Sequence, residues 1–220
     1  MDGLLGGGFG LGKVSLIYGE ASTGKTTLAL MVTARYLRSA PNGRAFYVDA
    51  DRKLSTNRMT QILGDESELL ERLLVWRPDS FSEQTEIIER LTSFPSINSA
   101  HIVVDSITGL YRFEAGDAEK TFKANKSLNR QLGFLSEIAK ASRSYVLLTG
   151  QVHGVPESET PQAEMVAQRL LRYWSDVILR LEMTPRAGIR QAVLEKPKTS
   201  DNICRFMLSD RGIEEAGSEW

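Results

Sequence analysis

Short apolar runs alternate along the chain with longer stretches whose apolar positions recur every three to four residues, and each predicts an element. Val14 to Tyr18 reads as a buried strand, and Thr26 to Ser39 as a helix with Leu28, Met31, Val32 and Leu37. Pro41, Asn42 and Gly43 end it. Ala45 to Asp49 predicts a second strand, Thr56 to Leu63 a short helix and Leu73 to Trp76 a third strand. Glu83 to Leu91 follows as a helix with Ile87, Ile88 and Leu91 on one side. His101 to Asp105 is the fourth strand. A polar stretch, Tyr111 to Asn125, then leads into a helix that ends near Ala141 and carries Leu128, Leu132, Leu135 and Ile138 at the helical period. Tyr145 to Thr149 is the fifth strand. This alternation predicts an α/β fold, a mainly parallel sheet flanked by helices. In the last third, Asp176 to Leu181, Gln191 to Glu195 and Arg205 to Leu208 have connections too short for a crossover helix, so antiparallel strands are expected there.

Composition narrows the class. The 220 residues are 41% hydrophobic and 25% charged, as in an ordinary globular protein. No repeat or low-complexity linker divides them, so residues 1–220 are expected to form one domain. No run approaches the ~18 apolar residues of a membrane span. The start, Met1-Asp2-Gly3, lacks the basic region of a secretory signal, and Cys204 has no internal disulfide partner; a cytoplasmic protein is expected. A net charge of -1, from 27 Lys and Arg against 28 Asp and Glu, excludes nucleic-acid binding by the overall field and leaves only local patches.

The sharpest chemical signal is Gly19-Glu20-Ala21-Ser22-Thr23-Gly24-Lys25-Thr26, with Thr27 after it: a complete G-x-x-x-x-G-K-T loop, or Walker A motif, between an apolar strand and a helix. Its backbone N–H groups and the positive end of the helix form a cradle for phosphate oxygens. Lys25 is then placed to reach the terminal phosphates and Thr26 to meet Mg²⁺. A magnesium phosphate site also needs a carboxylate at the end of a neighbouring strand, and Asp105 occupies that position. Hydrolysis further requires a group that orients water. Asp49 and Asp51 at the end of the second strand, expected to face one side, and Gln151 after the fifth are the candidates; a strand-end cap explains Gln151 equally well. No zinc spacing or nucleophile–base pair stands out, and Trp76, Trp174, Cys204 and His101 read as core or strand residues.

The succession Leu4 to Gly8, Gly19 to Thr27, Tyr47-Val48-Asp49, Val104 to Thr108 and Leu148 to Val152 resembles the ATPase core of the RecA-type recombinases. Asp105 to Arg112, Gln151 to His153, Tyr173 to Leu181, Val193 to Lys196 and Arg211 to Glu214 are similar in particular to the archaeal RadB paralogues of that family. The resemblance implies a RecA-type ATPase core that binds Mg²⁺ and ATP and serves homologous recombination and DNA repair. Single-stranded DNA and the main archaeal recombinase (RadA-like) are the implied partners, with a homo-oligomer also open. By similarity Lys25, Thr26 and Asp105 hold Mg-ATP, Gln151 senses the γ-phosphate, and Arg58 lies against adenine. Lys196 and Lys198 match cations that reach a neighbouring subunit's ATP.

Three departures shape the expectation. Asp51 stands where the family has a catalytic glutamate, one methylene or about 1.5 Å shorter, so binding with slow hydrolysis is expected. The chain begins a few residues before Gly6, so the N-terminal DNA-binding domain and polymerisation linker are expected to be missing. Val152 to Gln168 carries Glu157, Glu159 and Glu164 without Lys or Arg, poor material for a phosphate-binding loop. DNA contact is therefore expected at Arg112, Lys120, Lys123, Lys126 and Arg130, beside Tyr111 and Phe113, where the family's first DNA-binding loop lies. A solvated helix start fits the same residues. A second basic region comprises Arg186, Arg190, Lys196, Lys198 and Arg205 against Glu195 and Asp201. The readings in competition are an accessory mediator with weak ATPase activity, an active ATP-driven motor or KaiC-like signalling ATPase, and a catalytically dead interaction module.

Overall fold

The computed structural model of the chain describes residues 3–64, 66–94, 97–154, 163–200 and 202–216. In chain order the elements are β1 (Val14–Gly19), α1 (Lys25–Ser39), β2 (Ala45–Asp49), α2 (Thr56–Leu63), α3 (Ser67–Glu71), β3 (Leu73–Trp76), α4 (Phe81–Arg90) and β4 (His101–Asp105). They continue with α5 (Tyr111–Glu114), α6 (Ala118–Ala141), β5 (Tyr145–Gly154), β6 (Ala163–Met165), α7 (Gln168–Trp174), β7 (Val177–Met183), β8 (Ile189–Lys196), β9 (Ile203–Ser209) and β10 (Gly212–Glu215).

The ten strands form one sheet in the order β10-β9-β8-β7-β1-β5-β4-β2-β3, with β6 beside β5. The strands from β7 to β3 in that order are parallel, and β8, β9 and β10 add antiparallel neighbours, as the short connections require. Every residue of β1, β2 and β4 is buried, which is why their sequences read as continuous apolar runs rather than alternating ones. On one face Leu128, Leu132 and Leu135 of α6 and Ile88 of α4 pack against Leu16, Val48 and Val104; on the other, Leu28, Leu30 and Leu37 of α1 pack against Ile17, Tyr47 and Val103.

Four expectations need correction. The fifth strand does not stop at Thr149: pairing of Val152 with Met165 draws it to Gly154, so Gln151 lies within the strand. The long helix begins at Ala118 rather than after Asn125, because Asp117 caps it by accepting from the backbone N–H of Lys120 at 2.9 Å. Cys204 is half-buried rather than buried. Trp76 is also only half-buried, stacked on Phe46 with ring centroids 5.9 Å apart. Among the described residues no helix is long and apolar enough to cross a membrane.

The parallel strands end together. Gly19 of β1, Asp49 of β2 and Asp105 of β4 lie along one edge of the sheet, and β5 brings Gln151 beside Gly19. In an open α/β sheet such an edge, where strand order reverses, is where ligands bind.

Candidate functional site

The phosphate loop is built by close approach. At Gly19, with φ of 153°, an added Cβ would come within 2.1 Å of the Leu181 carbonyl oxygen, so the strand turns out of the sheet only with glycine there. Gly24, with φ of 101°, then starts α1 in the left-handed region. This fifteen-residue helix has no side-chain N-cap and no acid in its first turn, whereas α2, α4 and α6 are capped by Ser55, Ser80 and Asp117. Its unsatisfied N–H groups and helix dipole suit an anion. The Lys25 ammonium donates to the carbonyls of Gly19 at 2.9 Å and Glu20 at 2.6 Å. Burial, with help from Lys53, lowers its pKa to about 8 against the opposing pull of Asp105, Asp51 and Glu20.

Asp105 supplies the other half. Only 2% exposed, it accepts from the hydroxyls of Thr26 at 2.7 Å, Tyr47 at 2.8 Å and Thr149. Burial, reinforced by Asp105, holds the Tyr47 phenol far above its ordinary pKa, so Tyr47 stays a neutral donor. The carboxylate thus has hydroxyl donors around it and no direct cationic partner among the described residues. One carboxylate and one hydroxyl, both hard oxygen donors beside an anion cradle, fit Mg²⁺, which takes few protein ligands and completes its shell with phosphate oxygens and water. The residues present fit ATP and Mg²⁺: Gly19 to Thr27 would hold the phosphates, and Thr26 and Asp105 the metal. Bound there, the ion would neutralise phosphate charge.

Asp49 and Asp51 do not share a role. Asp49, fully buried, accepts from the N–H groups of Lys53 at 2.9 Å and Leu54 at 3.1 Å and from Arg77 Nε at 3.2 Å, so it ties down the loop after β2. Burial raises its pKa despite those backbone donors. Asp49→Ala strips three donors of their acceptor and should cost about 3 kcal/mol of stability, read by urea denaturation; a cost under 1 kcal/mol would overturn this role. Asp51 enters the site instead. Its oxygens accept from Ser106 Oγ at 3.0 Å, Gln151 Nε2 at 2.7 Å and Lys53 Nζ at 3.0 Å. Gly109 admits it: a Cβ there would sit 2.0 Å from Asp51 Oδ1. Gln151 in turn accepts from Arg112 at 2.8 Å, so Asp51, Gln151 and Arg112 form one hydrogen-bonded row.

Comparison with known proteins places the chain in a family. The Rad51 family model matches residues 1–216. The DNA repair and recombination protein RadB of Thermococcus kodakarensis is 35% identical over 98% of this chain and 96% of its own length. That of Methanocaldococcus jannaschii is 35% identical over 92% and 93%. A crystal structure of the RadB recombinase superposes with a TM-score of 0.79 at 33% identity, covering 98% of this chain and 96% of that one. The chain belongs to the RadB branch of the Rad51 family.

In this RadB-type chain the remaining candidates fall into two groups. Arg58 lies at the phosphate loop's helix: it donates to Thr27 Oγ1 at 3.2 Å and to the carbonyls of Ser209 at 3.1 Å and Asp210 at 3.0 Å. Arg190, read from sequence only as part of a basic region, braces the loop by donating to the Ser22 carbonyl at 3.1 Å. Lys196 donates to the Ser175 carbonyl at 2.5 Å within its own chain, while Lys198 is exposed beside Arg172 and Asn202. Of the other cations, Lys120 pairs with Asp117, Lys123 with Glu119 and Arg130 with Glu89. Tyr111 is buried, its hydroxyl on Asn125, so it is no stacking surface; Phe113 is 87% exposed. Glu157, Glu159 and Asp201 lie outside the described residues. Sequence reasoning missed Tyr47, Lys53, Ser106 and Thr149, each next to a motif residue in space but unremarkable in type.

Proposed function

We propose that this RadB-type protein is an accessory factor of homologous recombination and DNA repair that binds ATP with Mg²⁺, single-stranded DNA and the main recombinase, and hydrolyses ATP weakly. One observation carries the reading: a complete phosphate cradle stands beside a carboxylate, Asp51, that is one methylene short and already accepts from Ser106, Gln151 and Lys53. A water-orienting base needs a free lone pair at the right distance; three of this carboxylate's roughly four acceptor sites are taken, and its shorter side chain holds the remaining one back from where a glutamate would reach. Nucleotide would then act as a switch, because differential contacts rather than turnover bias the chain between states. The row from Asp51 through Gln151 to Arg112 supports a link between nucleotide and DNA, since it ends in a cation beside the exposed Phe113. The family names support recombination and repair as the process. The test is ATP hydrolysis with and without single-stranded DNA, together with DNA binding at ~50 and ~200 mM salt. Slow turnover little changed by DNA, and DNA affinity that falls steeply with salt, are the expected results. Fast DNA-stimulated turnover would make the chain a motor instead.

A further inference from the structure

Two helices each present an aromatic ring and a cation four residues apart on their outward faces. On α6 these are Phe122, 71% exposed, and Lys126; on α7 they are Arg169 and Tyr173, 76% exposed. Spacing of four residues places each ring beside its cation. The pairs lie on the same side of the molecule. Phe122, Lys126, Asn129 and Gly133 follow one another along α6 at helical spacing, about a third of a turn around from its buried Leu128, Leu132 and Leu135. The Trp174 indole donates to Asn129 Oδ1 at 2.9 Å, and a Cβ at Gly133 would sit 3.7 Å from its ring. Trp174 therefore anchors α7 on this stripe, and the outward Tyr173 stands beside it, edge-on at 5.2 Å.

Charge separates this strip from its surroundings. Lys120, Lys123, Arg130 and Arg172 are each held by a carboxylate, whereas Lys126 and Arg169 meet none among the described residues. The α7 sequence QRLLRYW contains no acid. Exposed rings interleaved with uncommitted cations are the surface that single-stranded nucleic acid recognises, with bases stacked on rings and phosphates on cations. An acidic protein would use the cations but leave two flat rings in water.

We propose that Phe122, Lys126, Arg169 and Tyr173 form a second contact strip for single-stranded nucleic acid, which carries a strand onward from Phe113 and Arg112. The inference rests on the DNA-binding reading above and extends it across α6 to α7. From Phe122 to Asn129 the helix rises about 10 Å, so only strands longer than the first contact needs would reach Tyr173.

The experiment is fluorescence anisotropy with labelled oligo-dT of about 6 and about 16 nucleotides, within and at the upper end of ordinary site sizes. It compares wild type, the double variant Lys126→Ala with Tyr173→Ala, and Phe113→Ala. All three positions are exposed, so folding should survive, and circular dichroism checks it. The double variant is expected to bind the longer oligonucleotide about tenfold more weakly and the shorter one as wild type does; Phe113→Ala should weaken both. Equal binding by wild type and double variant at both lengths overturns the strip alone, as does unchanged DNA binding with lost affinity for the recombinase. Failure of wild type to bind either oligonucleotide at ~50 mM salt overturns the DNA-binding reading itself.

Discussion

Lys25→Ala is expected to weaken ATP binding about 100-fold, because it removes the one ammonium buried among the loop carbonyls, and a charge-assisted hydrogen bond is worth up to about 3 kcal/mol. The fold itself should not suffer. Lys25 has a pKa lowered to about 8, so holding its ammonium in place costs stability below that pH, and the cost is relieved as pH rises toward the ordinary lysine value. Removing the group relieves it at every pH. The same shift gives binding a pH dependence: a phosphate beside Lys25 favours the charged form, so ATP affinity should hold up to about pH 8 and fall above it, by up to tenfold per pH unit, with a proton taken up on binding. Lys25→Arg keeps the charge and should flatten the profile above pH 8. Titration of a fluorescent ATP analogue from pH 6.5 to 9.5, with urea denaturation of each variant, checks all of this. A Lys25→Ala protein that binds ATP as wild type does would overturn the phosphate role.

Asp51→Glu is expected to raise ATP turnover, by as much as ~100-fold, since a displacement of ~1 Å at a reacting centre costs about that factor. The longer side chain restores the reach that aspartate lacks. Asp51→Ala, by contrast, should change a rate that is already slow by only a few-fold and leave ATP binding intact. Steady-state hydrolysis by the three proteins decides it. If wild type turns over rapidly and Asp51→Ala stops it, then Asp51 is the competent base and slow hydrolysis is the wrong expectation; if Asp51→Glu brings no increase, side-chain reach is not what limits the rate.

Much of this was legible in the chain. The phosphate loop reads directly because its chemistry is local: one strand, one turn and one helix start supply every group from Gly19 to Thr27. The bounds of β2 and β4 also follow from their apolar runs, since both strands are buried along their whole length, and α2 starts where Ser55 caps it and stops at Gly64. Elements that depend on a partner were harder. The β10 strand and the extension of β5 to Gly154 exist through pairing with β9 and β6, and short helices such as α3 and α7 carry too few turns for a period to show.

Fold class, family and phosphate-binding loop can be read along the chain, because apolar periodicity and a contiguous motif are properties of neighbouring residues. What the carboxylates do depends on how the strands are brought together. Asp49 and Asp51 are two residues apart, yet one is consumed by Leu54 and Arg77 and the other meets Ser106 and Gln151, brought from 55 and 100 residues away by the order of the strands. A carboxylate's role is set by the donors around it, and strand order, not spacing along the chain, chooses those donors.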